Sequence, residues 1–160
     1  MKQRLRQRFR YLWTWELFNA LVAFPVLLLL LGLNIELGVY AWLANGSVCL
    51  LLLVGAAFAF LNYRDMQRGT DHTQAYKWGF DLLRWLLPAL LLGVGVVLFR
   101  VSNAITTGER LIGGILYVLA VLEYINYFQF QLMYDNEDDL HYLLQYKRLK
   151  RGIVARVYRW

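Results

Sequence analysis

The sequence predicts an all-α integral membrane protein, a four-transmembrane-helix bundle followed by a basic amphipathic helix. Three observations carry that prediction. The 160 residues are 59% hydrophobic, above the roughly 45–50% of soluble domains, and the excess is gathered into long blocks. The basic residues alternate between loops. The fragment Tyr11-x-Trp13-x-Trp15-Glu16-Leu17 returns as Tyr76-x-Trp78-x-Phe80-Asp81-Leu82.

The blocks place spans at about 14–33, 47–63, 79–99 and 111–133, within a transmembrane domain of residues 1–136. Each supplies close to the ~20 residues a crossing helix needs. The second is short unless Trp42–Gly46 or Arg64–Gln67 extends it. The first follows a basic segment but runs on to Leu33 without a small-residue cleavage pattern. It reads as an uncleaved span rather than a signal peptide.

Orientation follows from charge. Lys2, Arg4, Arg6, Arg8 and Arg10 precede the first span; Arg64, Arg68 and Lys77 flank the middle loop; Lys147, Arg148, Lys150, Arg151, Arg156 and Arg159 lie in the tail. The remaining loops hold Arg100 and Arg110 against Glu36 and Glu109. The positive-inside rule then puts both termini in the cytoplasm of a bacterial-type inner (plasma) membrane or its equivalent.

Residues 60–63 (Phe-Leu-Asn62-Tyr63) match 124–127 (Tyr-Ile-Asn126-Tyr127) at nearly the offset that relates Trp13 to Trp78. Two matches at nearly one offset predict a duplicated helical hairpin, with a pseudo-twofold axis along the membrane normal. Glu123 has no counterpart, since Ala59 stands 64 positions earlier.

In the tail, residues 137–160, Tyr146, Leu149, Ile153, Val157 and Trp160 recur at helical spacing. Basic residues fall mainly on the other side. This predicts one helix on an anionic membrane surface, the alternative being that its apolar face docks on the protein itself. Gly152 is a candidate break, and Asp135–Asp139 suit a helix N-terminus better than a metal. Arg4, Arg6, Arg8, Arg10, Lys147, Arg148, Arg151, Arg156 and Arg159 are the expected anionic-lipid contacts.

The buried polar candidates are Glu16, Asn19, Asn62, Asp81, Arg84, Glu123 and Asn126, all toward the cytoplasmic half. The outer halves are leucine-rich and offer an ion nothing. Glu123 is the deepest charge, about 10 Å inside hydrocarbon at 1.5 Å per residue. The favoured reading pairs it with Arg84 to fix helix register; the functional alternative is a proton- or ligand-binding carboxylate. Glu16 and Asp81 read as interfacial carboxylates beside aromatic anchors, and Asp81 can pair with Arg84 three residues on.

Gly55, Gly93, Gly95, Gly113 and Gly114 suit close helix packing. Asn45-Gly46-Ser47 fits a glycosylation sequon, relevant only in a eukaryotic secretory pathway. The single cysteine, Cys49, excludes a disulfide framework. No catalytic motif or metal-ligand spacing appears, and no cofactor is expected, although the one-sided rim of aromatics suits a bound lipid, quinone or pigment.

The expected function is a non-enzymatic accessory subunit or lipid-associated anchor. It would bind anionic lipid and join a larger membrane complex or homo-oligomer, with no nucleic acid. A proton- or ion-coupled transporter using Glu123 ranks second. A lipid- or isoprenoid-modifying enzyme using Glu16, Asp81 and Glu123 ranks third.

Overall fold

A computed structural model describes residues 2–101, 106–133 and 137–158, without the side chains of Lys2, Arg4, Val101 and 137–139. The elements are α1 (Lys2–Phe18), a π-helical turn (Asn19–Ala23), α2 (Phe24–Gly32), α3 (Val39–Arg68), α4 (Thr73–Val101), α5 (Thr107–Phe128), α6 (Glu137–Tyr146) and α7 (Ile153–Tyr158). Four stretches are long and apolar enough to cross a membrane: Leu5–Gly32, Val39–Arg68, Thr73–Arg100 and Thr107–Phe128. Leu29, Leu92 and Val118 on their outer faces are more than half exposed. Exposed apolar surface of that extent marks an interaction surface.

The expected bounds of 47–63 for the second span mark only the middle of α3. Its N-terminus is prolonged because Glu109 Oε1 accepts the Tyr40 amide at 3.2 Å and the Ala41 amide at 3.5 Å. A carboxylate there satisfies helix-terminal donors and complements the helix dipole. The helix ends at Gly69, whose φ of 67° is left-handed, as a C-terminal cap requires. Asn45 is therefore inside a helix and only 4% exposed, which removes the sequon from any modifying enzyme.

The first span is continuous with the basic N-terminus, so Arg6, Arg8 and Arg10 ride on its opening turns. The π-helical turn has a local cause. Pro25 has no amide to donate and its ring crowds the preceding turn, and the amide of Phe24 reaches back five residues to Asn19 O. The sequence predicts a fourth span over 111–133, and the helix stops at Phe128. Asn126 Oδ1 accepts the amides of Leu132 and Met133 (2.8 and 3.4 Å), turning the chain out of the helix.

The core centres on α3, whose Ala41, Ala44, Val48, Leu51, Leu52, Phe58 and Ala59 are buried. It packs closely on both α1 and α5, while α4 rests more lightly on α3 and α5. The hairpins proposed as duplicates are thus packed unequally, and their matched residues do different work. Trp13 meets Phe60 edge-on at 5.5 Å, whereas Trp78 is 77% exposed. Asn62 Nδ2 donates to Phe58 O within its helix, whereas Asn126 caps a turn.

The expected single helix over 137–160 is corrected to two short ones. Between α6 and α7 the chain extends, with Lys147 at φ 47°, and pairs back on the turn after α5. Gln131 N donates to Lys150 O at 2.8 Å and Gly152 N to Gln129 O at 2.9 Å. Gly152 can approach that closely because it lacks a Cβ, which would sit 2.8 Å from Asn126 O. The apolar face of α7 then docks on the bundle's basic end rather than on a bilayer surface, with Val154, Ala155 and Tyr158 buried. Leu140, Leu144 and Tyr146 around α6 remain exposed.

Candidate functional site

On α1, Leu5, Phe9, Leu12 and Glu16 follow i, i+4, i+7 and i+11 and so share one face. On α3, Gly55, Ala59, Asn62 and Met66 repeat that spacing. On α5, Glu123 and Tyr127 are one turn apart. The α1, α3 and α5 faces border a cavity of about 280 Å³ at the basic end, and Ile153, Arg156 and Val157 of α7 form part of its wall. Its apolar wall includes Leu5, Phe9, Leu12, Met66, Ile153 and Val157; its polar groups are Arg8, Arg156, Asn62, Asn126, Gln131, Glu16 and Tyr127. Arg156 is positioned by a 2.7 Å hydrogen bond to Gln131 Oε1.

At the inner end, Tyr127 faces two carboxylates from different helices, Glu16 and Glu123, and interacts with both. The carboxylates also act on each other. Gly55 makes the convergence feasible: a Cβ there would lie 2.5 Å from the Tyr127 hydroxyl and collide with Glu16 Oε2. That oxygen is fully buried and accepts no hydrogen bond in this arrangement. Buried polar atoms are rarely left so, because desolvation costs about 1–3 kcal/mol.

This geometry revises the roles read from sequence. The partly buried Glu16 carboxylate meets Tyr127 and Glu123, a grouping that its reading as an interfacial carboxylate beside aromatic anchors does not contain. Glu123 makes hydrogen bonds with Asn126 and Tyr127 of its own helix. The Arg84 guanidinium lies over Trp85 at 5.7 Å, and the Arg84 carbonyl accepts the Tyr124 hydroxyl at 3.0 Å. Asp81 acts on Tyr158 of α7. Asn19 sits in the π-helical turn, one turn past Glu16. Of the basic residues, Arg8 and Arg156 line the cavity, while Arg6 covers the Tyr63 ring at 5.7 Å. Arg10, Lys147 and Arg151 are exposed, as is Arg148 beside the Tyr146 ring at 5.7 Å. The Arg4 side chain, Arg159, residues 135–136 and the side chains of 137–139 lie outside the described residues.

Two groups carry roles beyond those their sequence context suggests. Tyr127 belongs to the repeated Asn-Tyr pair, and its spacing from Glu123 also puts both on one helical face. Glu109 reads as a loop charge, and Thr106-x-x-Glu109 has the form of a helix N-terminus, where Thr106 Oγ1 accepts the Glu109 amide at 3.1 Å.

Tyr158 anchors α7 to α3 and α4. It stacks on Phe80 at 5.5 Å and meets Phe58 edge-on at 6.1 Å. Burial pushes its hydroxyl up to about 12, helped by the negative charge of Asp81. Compared with protein-family models, curated proteins and solved structures, the chain finds no match in any of the three.

Proposed function

We propose that this chain is a non-enzymatic integral membrane protein that binds anionic lipid at the basic end of its bundle. From there it serves as an accessory or anchoring subunit for another membrane protein. The positive-inside rule assigns that end to the cytoplasmic side of a bacterial-type inner membrane. The observation that carries the reading is the cavity in which Arg8 and Arg156, from opposite ends of the chain, line one partly apolar space. A guanidinium matches phosphate and carboxylate oxygens in paired hydrogen bonds. The apolar wall supplies the complementary surface for an acyl chain, and the nearby exposed Arg6, Arg10, Lys147 and Arg148 add long-range attraction of about 1 kcal/mol each.

The transporter reading needs polar groups on both sides of the midplane. Beyond the carboxylates the bundle is filled by Leu51, Leu52, Leu116 and Ala120. That filling favours a site open at one end. The enzyme reading needs Glu16, Asp81 and Glu123 as one set, and Asp81 instead acts on Tyr158.

The test is native mass spectrometry of the full chain released from bilayers containing anionic and neutral lipids in equal amount. Preferential retention of anionic lipid, reduced several-fold in Arg8→Gln/Arg156→Gln, supports the reading. Equal retention of the two classes removes it.

A further inference from the structure

We propose that Glu16, Tyr127 and Glu123 form a proton-binding site, filled and emptied from the basic end through the cavity. The argument is a count of hydrogens. Two carboxylates converge on one phenol, which has a single hydrogen to donate. With both carboxylates ionised, two negative charges would share that donor in the bundle interior, and Glu16 Oε2 would remain a buried acceptor without a partner. One added proton relieves both defects. It forms an O–H bond on a carboxyl oxygen, and that group then donates while the phenol donates elsewhere in the cluster. The proton comes from water at the cavity mouth and returns there, with no change in redox state.

The surroundings suit a proton better than a metal or an organic cation. From α1 the charged groups lining the cavity are Glu16 and Arg8. From α3 come the uncharged Asn62 and Met66, with Gly55 leaving space. From α5 come Tyr127 and Asn126, with Glu123 behind them. The segment after α5 adds Gln131, and α7 adds Arg156. A larger cation would have to pass both arginines, whereas a proton moves along water and hydroxyl groups. Directly beyond the cluster the described core is apolar, with Leu51, Leu52, Leu116 and Ala120 packed together, and the buried polar side chains Asn45, Ser47 and Glu109 lie farther along, toward the opposite end of the bundle. The site therefore stores a proton and changes the charge at the cavity floor by one unit. This inference stands whether or not a lipid occupies the mouth.

The test is infrared difference spectroscopy of the full chain, titrated with pH in a detergent free of ester groups. A protonated-carboxyl C=O band is expected at neutral pH, where exposed carboxylates are ionised, and it is expected to vanish at high pH. Loss of the band in Glu16→Gln or in Glu123→Gln supports the site and shows which oxygen holds the proton. Absence of the band at neutral pH, or its persistence unchanged in both variants, overturns the proposal. Should either variant fail to assemble, Tyr127→Phe keeps the ring and removes only the shared hydroxyl. A shifted band in that variant supports the site, and an unmoved band overturns it.

Discussion

The hydroxyl of Tyr127 occupies the space that a side chain at position 55 would need: a Cβ on Gly55 would lie 2.5 Å from it. Phenol and glycine come from α5 and α3, and Glu16 of α1 enters the same gap. One missing methyl group thus fixes how closely three helices approach around the carboxylates.

Gly55→Ala is expected to destabilise the protein by about 1–3 kcal/mol, the usual cost of forcing a methyl group into a packed interior. The control is Gly93→Ala, where a new Cβ meets nothing within 4 Å. That change should be neutral or slightly stabilising, since alanine favours the helix. Thermal unfolding in detergent compares them. Equal behaviour of the two variants contradicts the packing described for Gly55.

Glu109 caps α3 from a neighbouring helix, so its replacement should act on α3. Glu109→Leu leaves the amides of Tyr40 and Ala41 without their acceptor and is expected to cost about 1–3 kcal/mol. Glu109→Gln keeps an acceptor oxygen and should cost clearly less. Hydrogen exchange at residues 39–42 reads the difference directly.

Gly152→Ala is expected to undock α7 while sparing the rest of the bundle, because the new methyl group meets the backbone carbonyls of Asn126 and Tyr127. The expected signature is faster exchange and earlier proteolysis in 147–158, with Val39–Arg68 protected as before. Unchanged protection of α7 would contradict the docked geometry.

Tail docking should also weaken in alkali. Free tyrosine ionises near 10, while docked Tyr158 holds its proton to about 12. The docked state is therefore fully favoured below pH ~10 and loses ground between ~10 and ~12, as the undocked form ionises first. Tyr158→Phe removes that dependence. Comparing tail proteolysis of the two proteins across this range isolates the contribution of Tyr158 from the other tyrosines.

The four long helices were legible because each contains an apolar stretch long enough to cross a membrane, which hydropathy detects. The helices run beyond those stretches, as α3 does at both ends of 47–63, because caps and not hydropathy set their limits. The site was legible residue by residue but not as a site. Glu123 reads as the deepest charge and Glu16 as an interfacial carboxylate, and their meeting depends on α1 and α5 both packing on α3, a neighbour relation that hydropathy does not encode. The tail shows the same limit. The apolar spacing of Ile153 and Val157 predicts that this face is covered, but a bilayer and a protein interior leave the same pattern in sequence. The break at Gly152 was visible; the carbonyls it must approach were not.

If the triad stores a proton, lipid binding should follow pH. Losing that proton adds a negative charge near Arg8 and Arg156, so the preference for anionic lipid should fall as pH rises. Glu16→Gln should flatten the dependence. Native mass spectrometry across pH reads both effects.

The most direct test of the central claim is photocrosslinking with an anionic lipid bearing a photoactivatable acyl chain, followed by peptide mapping. Occupancy of the cavity predicts labelling of Leu5, Met66 or Ile153, competed away by unlabelled anionic lipid and reduced several-fold in Arg8→Gln/Arg156→Gln. Labelling confined to outward-facing residues such as Leu29, Leu92 and Val118, indifferent to competitor, would contradict it.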